Sequence, residues 1–153
     1  MASIEKDLSL NLKIQPTSFF KKRMKELAGV LLLALMVLLS AAFLTYNASD
    51  ASWNSANTAT AINILGAPGA IISDVLIQMI GIANFLLVIV PSFWGIRLLT
   101  HSSIEKPFLR LIFLSIGVIL FSSSVARTSV PEFWPTSSGL GGTLGLIVFD
   151  QTL

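Results

Sequence analysis

A chain of 153 residues has room for one domain, and its 54% hydrophobic against 12% charged residues, with a mean hydropathy of +0.81, exclude an ordinary soluble one, because soluble domains carry roughly 25% charged residues. The net charge of +2 is small, but six of the ten basic residues (Lys6, Lys13, Lys21, Lys22, Arg23 and Lys25) precede the first apolar run, the placement of a membrane-flanking tail rather than of a nucleic-acid arm. Without cysteine there is neither a disulfide framework nor a thiolate metal site, and with His101 as the single histidine a two-histidine site is excluded as well.

Residues 1–26 form the basic tail. Residues 27–45, LAGVLLLALMVLLSAAFLT, carry no charge, and nineteen helical residues reach roughly 28 Å, the depth of a hydrocarbon core. This is the first transmembrane helix. A cleaved signal peptide is the rival reading, but such a peptide has an apolar stretch of roughly 7–15 residues and a short leader, so an uncleaved anchor fits better.

Residues 46–74 are polar, hold no Lys or Arg, and read as an outer loop. Its two carboxylates, Asp50 and Asp74, suit turn and cap roles better than an acid/base pair. Asp74 is placed to cap the free N–H groups of the next span. Gly66 and Gly69 permit positive φ, with Pro68 fixing a turn between them, and Trp53 suits the headgroup level. Asn47-Ala48-Ser49 matches a glycosylation triplet, which matters only in a eukaryotic secretory pathway.

Residues 75–99 form the second span. At 100° per residue Asp74, Gln78, Gly81, Asn84, Ser92 and Gly95 fall within about a third of the circumference. Gln78, Gly81, Asn84, Ser92 and Gly95 are therefore predicted to pack against other helices. The alternative is a small transporter or channel subunit whose polar stripe lines a path, against which the stripe holds no charge deep in the membrane. Pro91 should kink this helix and free the carbonyl of Leu87.

Residues 100–106 are a short turn flanked by Arg97, Lys106 and Arg110, and 107–125 form the third span, opening on Pro107. The positive-inside rule then places the N-terminus and 100–106 in the cytoplasm, and 46–74 and 126–153 outside. In the last segment PEFWP (131–135) is no helix interior, and GLGGTLGLIVF is too short to span but suits a short outer-face helix. The predicted fold is an all-α integral membrane domain of three transmembrane helices plus that short helix. No phosphate-cradling Gly-Lys-Ser/Thr loop, nucleophile with a base, or carboxylate pair is present. No cofactor and no metal site is expected, and the chain is not expected to be an enzyme.

The order Asn47, Asp50, Ser52, Trp53, then Asn63, Gly66, Gly69 and Ala70, then Asp74, resembles the first periplasmic loop in the N-terminal four-span membrane domain of the FtsK/SpoIIIE DNA translocases. The basic tail, Trp94-Gly95-x-Arg97 and SSGLGGTLG (137–145) resemble it too, so that the likeness runs from about Lys21 to Leu153. It implies a truncated front of a longer protein, lacking the fourth span and the ATP-driven motor. It also implies a membrane anchor and assembly module, in the bacterial inner membrane at the division septum, of a translocase that links cell division to chromosome segregation. Lipid, other division proteins and further copies of the chain are the implied partners, without specific nucleic-acid binding by this segment.

Overall fold

The computed structural model describes residues 2–53, 60–102, 104–132 and 134–151, with 2–18 described by backbone alone, and every regular element among them is a helix. These are α1 (Ala2–Leu44), α2 (Gly66–Ile80), α3 (Asn84–Leu99), α4 (Pro107–Val125) and α5 (Gly142–Gln151), with a 3-10 turn, Gly81–Ala83, between α2 and α3. Three stretches, Phe19–Leu44, Gly66–Leu99 and Pro107–Val125, are long and apolar enough to cross a membrane. Val37, Leu44, Phe93, Phe108, Phe113 and Leu120 all point outward from them. Such a surface would be inside out in water and is what lipid requires. The all-α membrane domain predicted from composition is the fold observed.

α3 packs antiparallel along the second half of α1. At one end His101 Nε2 lies 3.4 Å from Glu26 Oε1; at the other, the Phe43 and Phe85 rings meet edge to face with centroids 6.4 Å apart. Between them the backbones come close because neither has a side chain there. A Cβ on Gly29 would stand 2.9 Å from the Gly95 carbonyl oxygen, and one on Gly95 would stand 2.8 Å from Leu33 Cγ. Small residues allow this approach in lipid, where dispersion contacts must replace the hydrophobic effect. α4 returns beside α3, and Ile80, Ala83 and Val118 form the buried core with Leu86, Leu87, Leu114 and Leu144 around it.

One expectation is corrected. The helix starts at Gly66 rather than at 75, so that residues 66–74 belong to α2 and not to a loop. Gly66 takes φ 65, Pro68 falls in the first turn where a missing N–H costs nothing, and Ala70-Ile71-Ile72-Ser73 contains no breaker. Pro91 lies inside α3, which continues through it, and the break in this stretch falls at Gly81, whose φ 58 and ψ −135 end α2. A proline deletes one hydrogen bond, whereas a left-handed residue redirects the whole chain.

The Gly-rich segment explains that break. Ile82 N–H donates to the Leu140 carbonyl at 2.8 Å, and a Cβ on Gly81 would collide with the same oxygen. Ser122, fully buried on α4, donates its hydroxyl to the carbonyls of Gly141 and Ile80. Trp134 in the Pro-bracketed turn donates its indole N–H to the Gly139 carbonyl at 3.1 Å. Residues 139–145 are thus a seam joining α2, α4 and α5.

Candidate functional site: the polar junction at the Asp50 end

Where α1 ends, the chain folds back on its own helix terminus. Asn63 is the pivot. Its Nδ2 donates to the carbonyls of Ala42 (2.9 Å), in the last turn of α1, and Thr45 (3.3 Å), one residue beyond the helix, where carbonyls are left without helical partners. Its Oδ1 accepts from Leu65 N–H at 3.1 Å, and its carbonyl accepts from Gly66 N–H at 2.8 Å. Asp50 holds the pivot from the other side, its carboxylate accepting from the N–H groups of Ile62 (2.8 Å) and Asn63 (2.9 Å). Both side chains are buried, where hydrogen bonds to a charged group contribute about 1.5–3 kcal/mol each and a lost partner costs more than the bond. Thr45 completes the tie, its hydroxyl accepting from Ile64 N–H at 3.2 Å while donating to Ala41.

Gly69 sits against this pivot. Its backbone is helical, so its requirement is space rather than a positive φ: a Cβ there would lie 2.3 Å from Asn63 Oδ1 and 2.5 Å from Leu65 Cβ. Only Gly66 of the expected pair has the left-handed conformation.

One turn along α2, Asp74 Oδ1 accepts from the Tyr46 hydroxyl at 2.8 Å and from Gln78 Nε2 at 2.7 Å. Asp74 lies inside α2 and caps nothing, a second correction, because the helix begins nine residues earlier than such a cap requires. Its Oδ2 is buried without a partner among the described residues. Burial first, then the hydrogen bond to Asp74 and its charge, push the Tyr46 hydroxyl well above the ordinary phenol range. Tyr46 and Gln78 also line a polar cleft of about 190 Å³ with Pro135, Thr136, Ser137 and Ser138.

The remaining predicted residues scatter. Asn47 forms a local turn, its Oδ1 accepting from the N–H and hydroxyl of Ser49. Ser52 is half-buried, Pro68 exposed, and the Trp53 indole stands 81% exposed. The polar stripe does not survive as one face. The break at Gly81 sends Asp74 and Gln78 to Tyr46, leaves Gly95 against α1, and buries Asn84 at 1% exposure with its Oδ1 unpartnered among the described residues. Ser92 bonds back to the Val88 carbonyl of its own helix. Sequence reasoning missed Tyr46, Thr45, Gly29, Ser122 and Gly145. The clustered glycines at 139–145 were the available signal for the last two, since close backbone approach demands glycine. Among the described residues no group of three or more His, Asp or Glu side chains is placed to hold a metal.

The junction's residues Asp50, Asn63, Gly69 and Asp74 all fall within residues 21–153, which match the family model described as the 4TM region of DNA translocase FtsK/SpoIIIE. The chain belongs to that family. It is 35% identical over 147 residues to a DNA translocase FtsK of Bradyrhizobium diazoefficiens, covering 95% of this chain and 18% of that protein. The DNA translocase FtsK of Azospirillum brasilense is 35% identical over 87% of the chain and 21% of its own length, and that of Rhizobium meliloti 30% identical over 84% and 15%. No solved structure matches. The chain thus spans about a fifth or less of these FtsK relatives. The match is to the 4TM membrane region of the family and not to a motor domain, so no enzymatic activity is expected of these residues.

Proposed function

We propose that these residues anchor a DNA translocase in the bacterial inner membrane at the division septum, and that the Asp50 end is the surface through which it joins other division proteins and further copies of itself. The carrying observation is the junction itself. Two buried side chains, Asp50 and Asn63, make five hydrogen bonds between them that hold a loop to the end of α1, which a passive linker between spans does not require. A rigid, shaped end is what a docking partner needs, because ordering a loose one on binding costs about 0.5–1.5 kcal/mol per immobilised side chain. On this reading the Asp50 end faces out of the cytoplasm and the basic residues near α1's start face lipid headgroups inside.

The test is a fluorescent fusion of residues 1–153 in dividing bacteria, with Gly69→Val and Asp50→Ala beside it. The unmutated fusion is expected at mid-cell, and both variants in the membrane fraction but evenly distributed. An even stain from the unmutated fusion would overturn the septal reading. The purified chain should neither turn over ATP nor hold DNA once salt is raised, since a cationic tail binds DNA only through counterion release.

A further inference from the structure

The stretch Gly66–Leu99 counts as one candidate span of 34 residues. As a straight helix it would be about 51 Å long, well beyond a hydrocarbon core of about 30 Å. It is not straight. The start of α2 is tied to the end of α1, through Asn63 to Ala42 and to Thr45 just beyond it, with Gly69 packed against Asn63. Its middle is tied to Tyr46 through Asp74. Just beyond its other end, after the left-handed Gly81, Phe85 touches Phe43. Both ends of a fifteen-residue helix therefore lie at the level where α1 stops, and α2 runs across the end of the bundle instead of continuing α3.

Its side chains are sorted accordingly. Ala70, Ser73, Asp74 and Ile77, spaced i, i+3, i+4, i+7, are buried against the protein. Ile72, Val75, Leu76 and Met79, with the same spacing, face away, Ile72 and Met79 being exposed. The buried face holds the polar Ser73 and Asp74 beside Ala70 and Ile77, while the outward face is wholly aliphatic, unlike the polar outer face of an amphipathic helix in water. Trp53 stands over this outward face, lining with Ile71, Ile72, Val75 and Leu76 an open apolar groove of about 350 Å³. A second, mostly apolar groove of about 360 Å³ is lined by Trp53, Val75 and Met79 together with the uncharged Gln78 and Thr143. Among the described residues no Lys, Arg, Asp or Glu lines either groove.

We propose that α2 is an in-plane helix whose Ile72–Val75–Leu76–Met79 face, with Trp53, lies in the leaflet at the Asp50 end, and that lipid acyl chains occupy the grooves beside the indole. Lipid is the occupant because the face is continuous with the exposed apolar flanks of α1 and α3 and at the same depth as their ends. An uncharged aliphatic surface with one indole at its edge is the composition of the headgroup–acyl boundary. The membrane-crossing part of this stretch is then α3 alone. The proposal rests on the membrane reading of α3 but on neither the septal role nor the choice of sides.

The experiment places nitroxide labels singly at Ile72→Cys and Met79→Cys in the cysteine-free chain, with Phe85→Cys and Phe93→Cys on α3 as an internal ruler, in phosphatidylethanolamine–phosphatidylglycerol vesicles. Depth is read from the ratio of oxygen to nickel-chelate accessibility. The α3 pair, eight residues apart, should differ by about 12 Å and the α2 pair by less than about 3 Å, both α2 labels being shallow. A difference of about 10 Å between 72 and 79 would overturn the in-plane assignment, and nickel accessibility like that of a free label at both would overturn the lipid occupant. Loss of the α3 gradient would instead overturn the membrane reading beneath it. Independently, with Trp94→Phe and Trp134→Phe leaving Trp53 as the sole tryptophan, bromines high on the acyl chain should quench its emission severalfold more than aqueous iodide. The reverse order refutes the placement of Trp53.

Discussion

Tyr46 is the single tyrosine of the chain, so the absorbance of tyrosinate reads this one side chain. Its hydroxyl donates to buried Asp74, and ionising it would set two negative charges side by side where water is excluded. Burial is the larger cause of the upward shift and Asp74 the second. Tyrosinate should therefore appear only well above pH 10, the ordinary phenol range. Asp74→Asn should bring the titration down part of the way, leaving the share due to burial. The linkage sign follows: the folded state holds the proton more tightly, so the contribution is full below about pH 10 and is lost as pH rises, because the unfolded chain ionises first. An ordinary titration in the unmutated protein, or an unshifted one in Asp74→Asn, would show that the contact does not govern this group. Asp50 works differently, its carboxylate accepting from the two backbone N–H groups of Ile62 and Asn63.

At the scale of elements, glycines differ in what their missing side chain makes possible, and substitution separates them. Gly29 lets α1 approach α3, and Gly145 lets α5 approach Ser122, whose carbonyl oxygen would lie 2.5 Å from a new Cβ. Gly117 on α4 has nothing within 4 Å of that position. Gly29→Ala and Gly145→Ala should each destabilise by about 1–3 kcal/mol through overpacking, whereas Gly117→Ala should be neutral or stabilising by up to about 1 kcal/mol from helix propensity. Reversible unfolding in mixed micelles measures all three, and equal losses would mean that these contacts do not decide stability. The same distinction explains what was legible in the sequence. Apolar run length announced the spans, because nothing but lipid tolerates such runs. The start of α2 was hidden, since Gly-Ala-Pro-Gly-Ala carries turn chemistry and helix-start chemistry alike, and only Asn63 and Gly66 decide between them. Pro91 was the loudest local signal and yet did not interrupt α3. Gly81 was the effective break because its partner, Leu140, lies almost sixty residues away, beyond the reach of any window of periodicity. Asp50, Asn63, Gly69 and Asp74 were legible through the family resemblance, but their mutual contacts depend on the fold-back and were not.

For the molecule as a whole, the question is which end faces which compartment, and the charge pattern and the fold bear on it separately. Arg97, Lys106 and Arg110 cluster with the turn after α3, and Lys21, Lys22, Arg23 and Lys25 precede the apolar part of α1. The fold brings the two groups to one end, since Glu26 faces His101. At the opposite end Arg127 is the one basic residue and pairs with Asp150 at 2.8 Å. Basic loops are retained on the cytoplasmic side during insertion. The absence of cysteine allows Ser49→Cys, Thr128→Cys and Thr100→Cys, all at exposed positions, to be probed with an impermeant maleimide on spheroplasts. Positions 49 and 128 should label in intact spheroplasts and position 100 only after lysis. Labelling of 100 with protection of 49 would invert the assignment of sides while leaving the fold untouched. Equal labelling of 49 and 100 in intact spheroplasts would contradict the membrane crossing by α3, because these two positions lie beyond its opposite ends.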